Sequence, residues 1–337
     1  MILEEKNKQS ENISPLVLIG LPRSGSTLLT RILNESPDLF MVNDLYYLQE
    51  ADAIGAFQDN DAAKARHLID FLLAKIRRRS SHGESRKLVQ SLLLNESQLG
   101  QIEEYADQIY QSGLLTWHEI LKQILSFAAQ LEGKQVWGWN TPQDYLHLAR
   151  IREIFPASRF LFLLRNPYHT LRSAKNVDDD GNDPRRYHPL LHSTAWRLCA
   201  QTYLDEVSVG STDILLIRYE DVVHSTEKTL TLMSNFLETT FPAIDLTSFG
   251  TNSSYRKGNN LALTETEHWL CDLVTGSVKI RLGYKRDRHR PKVADAVELV
   301  RITKNGMIFY GPRLLFSSDV RSRVKHLIRK AATMIGR

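Results

Sequence analysis

The stretch Gly20-Leu-Pro-Arg-Ser-Gly-Ser-Thr27 packs one permanent cation, three hydroxyls and two glycines into eight residues. An apolar run, Leu16–Ile19, precedes it, and a helical pattern begins at Thr27. A glycine-bounded turn between a buried strand and a helix aims backbone N–H groups at one spot, at the positive end of the helix dipole. Such a turn suits a phosphate or sulfate. Ser24, Ser26 and Thr27 add hydroxyl donors, Gly25 gives close backbone approach, and Arg23 contributes a planar, always-charged fork. The turn nearly spells the phosphate-loop signature G-x-x-x-x-G-K-[ST]. Ser26 stands where the lysine belongs, and the positive charge of Arg23 comes three residues early. A plain strand–turn–helix corner built from small residues is the bland alternative; the crowding of arginine with hydroxyls favours an anion.

A second stretch sharpens the chemistry. The apolar run RFLFLL (159–164) ends in Arg165-Asn166-Pro167, and Ser173 follows eight residues after the arginine. A triphosphate-hydrolysing protein needs an aspartate near such a strand end to help hold magnesium. An arginine there, beside a helix start, favours an anion in the crevice where open α/β sheets bind ligands. For Arg165 taken alone, a surface cap or ion pair is the alternative. Two anion sites without an evident magnesium carboxylate suggest a nucleotide carrying phosphates at two places, and no metal.

On these residues the sequence resembles the sulfotransferases that use 3′-phosphoadenosine 5′-phosphosulfate (PAPS). LIGLPRSGSTLLTRIL is similar to their 5′-phosphosulfate loop, in the bacterial and Golgi-type branch with a P-R-S-G-[ST]-T turn. RFLFLLRNPYHTLRSA is similar to their 3′-phosphate motif. The resemblance covers about residues 15–50 and 134–260, and implies a P-loop-like three-layer α/β fold with a central parallel sheet. It implies that Arg23 meets the transferring sulfuryl group, that Ser24, Gly25, Ser26 and Thr27 cradle the 5′-phosphate, and that Arg165 and Ser173 hold the 3′-phosphate. SSYRKGNN (253–260) resembles the loop that closes over the 3′-phosphate, which implicates Arg256, Lys257 and Gly258, although the usual G-x-x-G-D-W continuation is absent. Asp44, in VNDLYYL, falls where the tyrosyl-protein branch has a glutamate, and is the candidate catalytic base; an N-cap is its structural alternative. His118 and His147 are weaker base candidates. Relatives often carry a lysine where this chain has Asn140, before Thr141-Pro142. Trp137 and Trp139 either line an acceptor pocket or pack in the core.

The elements that must position these residues are legible in outline. Strands are expected at Leu16–Ile19, 135–139, 159–164 and 213–221, alternating with helices at 143–154, from Pro167 to about 177, at 189–208 and at 226–239. Thr264-Glu-Thr-Glu267 is a capping box opening a further helix. Residues 1–14 read as a disordered arm and 15–337 as one α/β domain, with a helical insertion over about 60–132 that would serve as a lid or substrate wall. A basic amphipathic helix over about 318–335 would dock on the domain, with a membrane surface or homodimer contact as its second reading.

Bulk properties limit the function classes. The 337 residues carry a net charge of +4 and are 42% apolar, which permits anionic ligands without the basic excess of a nucleic-acid binder. Two cysteines, Cys199 and Cys271, suit neither a disulfide framework nor a structural zinc. No apolar stretch approaches a membrane span, and the polar first residues lack a signal-peptide pattern, so a cytoplasmic protein is expected. The acidic run 177–183, VDDDGND, reads as a solvated loop; facing the acceptor, it would favour a cationic one. The resulting expectation is a PAPS-dependent sulfotransferase acting on a hydroxyl or amine of a small molecule, in specialised metabolism. A P-loop kinase or a catalytically degenerate nucleotide-binding relative are the alternatives.

Overall fold

Leu16–Gly20 carries no polar side chain, and a strand of that kind must be covered on both faces. In the computed structural model it forms β1, with all five residues buried, at the centre of a five-stranded sheet of order β2-β3-β1-β4-β5. The structure describes residues 15–316 apart from 60, 81–91, 114–115, 177–183, 250–260, 286 and 288. Strand β3 (Val136–Asn140) and strand β4 (Arg159–Leu164) flank β1 in parallel, with Leu18 opposite Asn140 on one side and Leu161 on the other. Strand β5 is Ile214–Arg218. Strand β2 (Leu39–Val42) pairs in parallel with β3, Leu39 opposite Val136. This last strand was not expected: four apolar residues behind a Pro-Asp turn are too few to announce a period. Gly138 lets β3 pass, since a Cβ there would sit 2.1 Å from the Leu16 carbonyl oxygen and 2.6 Å from the Met41 sulfur.

Alternation along the strands builds two buried faces. Leu16, Leu18, Met41, Leu161 and Leu163 pack with Leu29, Ile32 and Leu33 of helix α1 (Ser26–Asn34). Val17, Ile19, Phe40, Phe160 and Phe162, on the alternate positions, are fully buried as well. The architecture is the expected α/β one, a parallel sheet flanked by helices.

The described residues cluster into two compact units: 15–20, 25–163 and 212–249 in the first, and 21–24, 164–211 and 261–316 in the second. In the first unit, β2 and β3 are joined through helices α2 (Tyr47–Ala53), α3 (Ala62–Ser80), α4 (Glu96–Gln111) and α5 (Trp117–Leu131). Helix α4 opens on a capping box of Asn95 and Gln98. After β3, Thr141-Pro142 does not start the expected helix. Thr141 Oγ accepts from the Tyr46 backbone N–H at 3.1 Å instead of capping, and a short 3-10 turn, Asp144–Leu146, precedes helix α6 (Leu148–Ile154). Helices α9 (Tyr219–His224) and α10 (Thr226–Leu237) follow β5.

In the second unit lie helices α7 (Pro167–Lys175), α8 (Pro189–Ser208), α11 (Glu265–Arg281) and α12 (Ala296–Phe316). Helix α11 opens on the Thr264–Glu267 capping box that its sequence implied. Within it Glu267 accepts from Lys175 and from the Tyr187 hydroxyl, each at 2.7 Å, and Lys279 binds Asp272 Oδ1 and the Tyr168 hydroxyl. Cys199 and Cys271 are buried free thiols. The arm 1–14, the acidic run 177–183, Arg256, Lys257 and Gly258, and the amphipathic segment 318–335 lie outside the described residues. Among the described residues no helix is long and apolar enough to cross a membrane.

Candidate active site

The glycine-bounded turn is built as its residues require. Gly25 is the N-cap of α1 with φ 96°, a left-handed conformation that favours glycine. A Cβ there would also meet a Tyr219 ring carbon at 2.2 Å. Having no side chain, Gly25 leaves the first-turn N–H groups of α1 to an outside acceptor, which fits an anion. Ser26 is buried and Thr27 half-buried in that first turn. Just upstream, the Ser24 backbone N–H and hydroxyl both donate to the Leu21 carbonyl, at 3.1 and 2.6 Å, and close the turn. Arg23 itself takes φ 75°, uncommon for a residue with a side chain.

In the second unit three expected site residues meet. Arg23 Nε donates to Ser173 Oγ at 3.1 Å, across 150 residues of sequence. Arg165 Nη1 donates to the Arg23 carbonyl at 3.2 Å. The Arg165 carbonyl in turn accepts from Trp196 Nε1 at 2.8 Å. Asn166, beside Arg165, caps α7 by accepting from the Tyr168 N–H at 3.0 Å, so the strand end and the helix start that carry Arg165 and Ser173 are both fixed.

In the first unit, Thr27 is joined to Asp44 through one amide. Asn43 Nδ2 lies 3.3 Å from Thr27 Oγ1 and 3.2 Å from Asp44 Oδ2, while Asn43 Oδ1 accepts from Asn140 Nδ2 at 2.7 Å. Asp44 does not cap α2; Tyr46 is the N-cap, without a side-chain bond. The Asp44 carboxylate is instead held by Arg79 of α3, Nη2 to Oδ2 at 3.0 Å, and Arg79 Nε donates to the Asn43 carbonyl at 2.9 Å. Both Asp44 (φ 50°) and Tyr46 (φ 55°) are left-handed, a conformation that costs energy and clusters at functional sites. Lys75, one turn before Arg79, reaches the Asp44 carbonyl at 3.4 Å. Burial pulls the pKa of both cations down; Asp44 opposes the shift.

The remaining candidates pack against aromatic rings. His118 packs edge-on against Trp117, and burial lowers its pKa; His147 sets its ring edge against Phe57. Trp137 and Trp139 are fully buried and stacked on each other at 5.8 Å, so they are core residues. Among the described residues no group of His, Cys, Asp and Glu could hold a metal ion. Asn43, Lys75, Arg79 and Tyr219 were missed in the sequence. The signal for two of them was present: Lys75 and Arg79 are four apart, on one stripe of α3.

Residues 15–243 match the sequence profile of the sulfotransferase family. The chain belongs to that family. The matched stretch takes in Arg23 to Thr27, Asp44, Arg165 and Ser173, and the protein is a sulfotransferase. Its fold is similar to the sulfotransferase domain from the Synechococcus PCC 7002 olefin synthase, at 18% identity over 82% of this chain and 98% of that one, with a TM-score of 0.50. A sulfotransferase domain from the curacin biosynthetic pathway matches at 17% identity over 87% and 96% of the two chains (TM-score 0.45). A sulfotransferase from Alicyclobacillus acidocaldarius matches at 13% identity over 80% and 94% (TM-score 0.45). No protein of curated function matches this sulfotransferase in sequence.

Proposed function

We propose that this sulfotransferase moves the sulfuryl group of PAPS to a hydroxyl or amine of a small-molecule acceptor and releases 3′,5′-adenosine bisphosphate. The observation that carries the reading is the meeting of the two anion motifs in Arg23, Arg165 and Ser173. PAPS carries phosphate at both ends of its ribose, and a pair of arginines from two motifs suits such a donor. Ser24, Gly25, Ser26 and Thr27 would hold the 5′-phosphate with hydroxyls and the N–H groups of α1. Arg165 and Ser173 would hold the 3′-phosphate, with Arg256, Lys257 and Gly258 closing on it.

In the reaction the acceptor oxygen or nitrogen forms a bond to sulfur while the bond from sulfur to the 5′-phosphate oxygen breaks. The acceptor proton goes to Asp44, the carboxylate joined to Thr27 through Asn43. The leaving phosphate gains negative charge, which Arg23 stabilises more in the transition state than in the ground state. Arginine charge thus replaces the magnesium that a triphosphate enzyme needs.

Thermal unfolding tests the donor: with EDTA present, 3′,5′-adenosine bisphosphate raises Tm, by about 2.7 kcal/mol of added stability at a hundredfold excess over Kd, and in separate EDTA-free samples ATP with magnesium does not. Stabilisation by ATP–magnesium alone would support a kinase and sink this reading. Metabolite pools incubated with enzyme and PAPS should then show a mass gain of about 80 Da, the sulfuryl group transferred in the bond change above.

A further inference from the structure

Helix α3 sets Phe71, Lys75 and Arg79 four residues apart, on one face, and that face meets the Asn43–Tyr46 segment. The two cations do different things. Arg79 is buried and its charge is matched by Asp44. Lys75 is half-buried, its ammonium 5.2 Å from the centre of the Tyr46 ring and 5.0 Å from that of Phe71. Its only hydrogen bond among the described residues is the long one, 3.4 Å, to the Asp44 carbonyl. An ammonium has three donors, and among the described residues Lys75 makes no ion pair. The nearby carboxylates are committed elsewhere: Asp44 to Arg79, and Glu50 to His67 at 2.7 Å. A cation held part-way out of water between two rings, with donors unspent, is costly unless an anion completes it.

We propose that Lys75 is the acceptor-binding cation of the site, and that the acceptor carries an anionic group, such as a carboxylate, beside the hydroxyl or amine that is sulfated. The proposal deepens the sulfotransferase reading and rests on Asp44 marking the acceptor side. The aromatic lining favours an organic anion over the donor's own sulfuryl group, because Tyr46 and Phe71 offer apolar contact that a bare oxyanion does not use. Burial is the largest cause lowering the Lys75 pKa, and Arg79 and Arg78 lower it further, against the opposing pull of Asp44 and Glu50. An arriving carboxylate reverses that shift. The sign of the acceptor is therefore opposite to the one that the acidic run 177–183 suggested.

Three phenols of matched shape test this by calorimetric titration: 4-hydroxyphenylacetate (anionic), 4-hydroxyphenylethanol (neutral) and tyramine (cationic). Each is titrated into wild type, Lys75→Met and Lys75→Arg, with and without saturating 3′,5′-adenosine bisphosphate. The expected result is wild-type preference for the anion over the neutral phenol by about tenfold, loss of that preference in Lys75→Met, and its retention in Lys75→Arg, with nucleotide affinity equal in all three. Absence of an anion preference in wild type overturns the proposal, as does its survival in Lys75→Met. Weakened binding of PAPS or the bisphosphate in Lys75→Met also overturns it, assigning the lysine to the donor. Failure of the bisphosphate to bind wild type sinks the donor reading instead, and leaves the comparison of phenols readable in the nucleotide-free protein.

Discussion

At the scale of single residues, the two arginines are similar in charge and differ in what they touch. Arg23 lies in the turn itself, in a left-handed conformation, with its Nε on Ser173. Arg165 sits at the end of β4 and supports the Arg23 carbonyl. Arg23→Ala should therefore lower kcat for sulfuryl transfer by at least about a hundredfold, the scale of losing one charge stabiliser, with the affinity for 3′,5′-adenosine bisphosphate changed only a fewfold. Arg165→Ala should do the reverse, weakening nucleotide affinity by about tenfold or more and kcat less. Steady-state kinetics with nucleotide titration separates them, and an unchanged bisphosphate affinity in Arg165→Ala would remove that residue from the site. Both arginines were readable in sequence because each sits in a short motif with fixed neighbours. Arg79 was not, since its role depends on meeting Asp44 across 35 residues, which no local pattern encodes. Asp44 is readable as a base or an N-cap, and the N-cap position of α2 is taken by Tyr46.

At the scale of elements, strands β1 and β4 were legible because burial on both faces leaves an unbroken hydrophobic run, and β3 and the partly exposed β5 because short apolar runs stand between turns. Two elements were lost for different reasons. Strand β2 is too short to show a period, and Thr141-Pro142 carries good helix-start chemistry that tertiary contacts override. Beside the bond from the Tyr46 N–H to Thr141, Asp144 just downstream is fully buried, with its carboxylate accepting from Gln49 Nε2 at 2.8 Å and Trp139 Nε1 at 2.5 Å. Burial pushes its pKa up to about 6, against the lowering pull of those bonds. Gln49 leaves its own carbonyl oxygen buried without a partner, and turning its amide over would put that oxygen opposite a protonated carboxyl. A folded pKa above the unfolded value of about 3.9 means that the folded state binds more protons between those values, so this group's contribution to stability falls as pH rises from about 4 to 6. Asp144→Asn keeps the shape and removes the titration. Relative to wild type, the variant should gain about 2 kcal/mol between pH 4.5 and 7.5, measured as the difference in urea unfolding free energy at the two values. An equal difference at both would show that Asp144 is not held as a buried acid.

At the scale of the whole molecule, the α/β class followed from the order of strands and helices, while helix α12 escaped notice. Its exposed Val293 approach and Val297, Val300 and Met307 face blur the polar side that marks an amphipathic helix. The chain's acid response is likewise a property of many residues together. Among the described residues, burial holds four histidines below their ordinary pKa: His118 in the first unit, and His188, His192 and His268 in the second. The His192 ring nitrogen Nδ1 lies 3.0 Å from the His188 carbonyl. A histidine kept neutral in the folded state binds its proton more readily once unfolded, at pH values near and below about 6.5. Stability present above that value is then lost as pH falls. Asp144 opposes this trend only as a single group. The folded protein should thus lose Tm steadily from pH 7.5 to 5.5, and its unfolding at pH 6 should take up protons, detectable as a dependence of the calorimetric enthalpy on buffer ionisation enthalpy. His192→Gln, which keeps an amide donor and cannot gain charge, should flatten the slope without changing its sign. A Tm independent of pH over this range would mean that these histidines ionise in place, and that their burial does not set the acid limit of the fold.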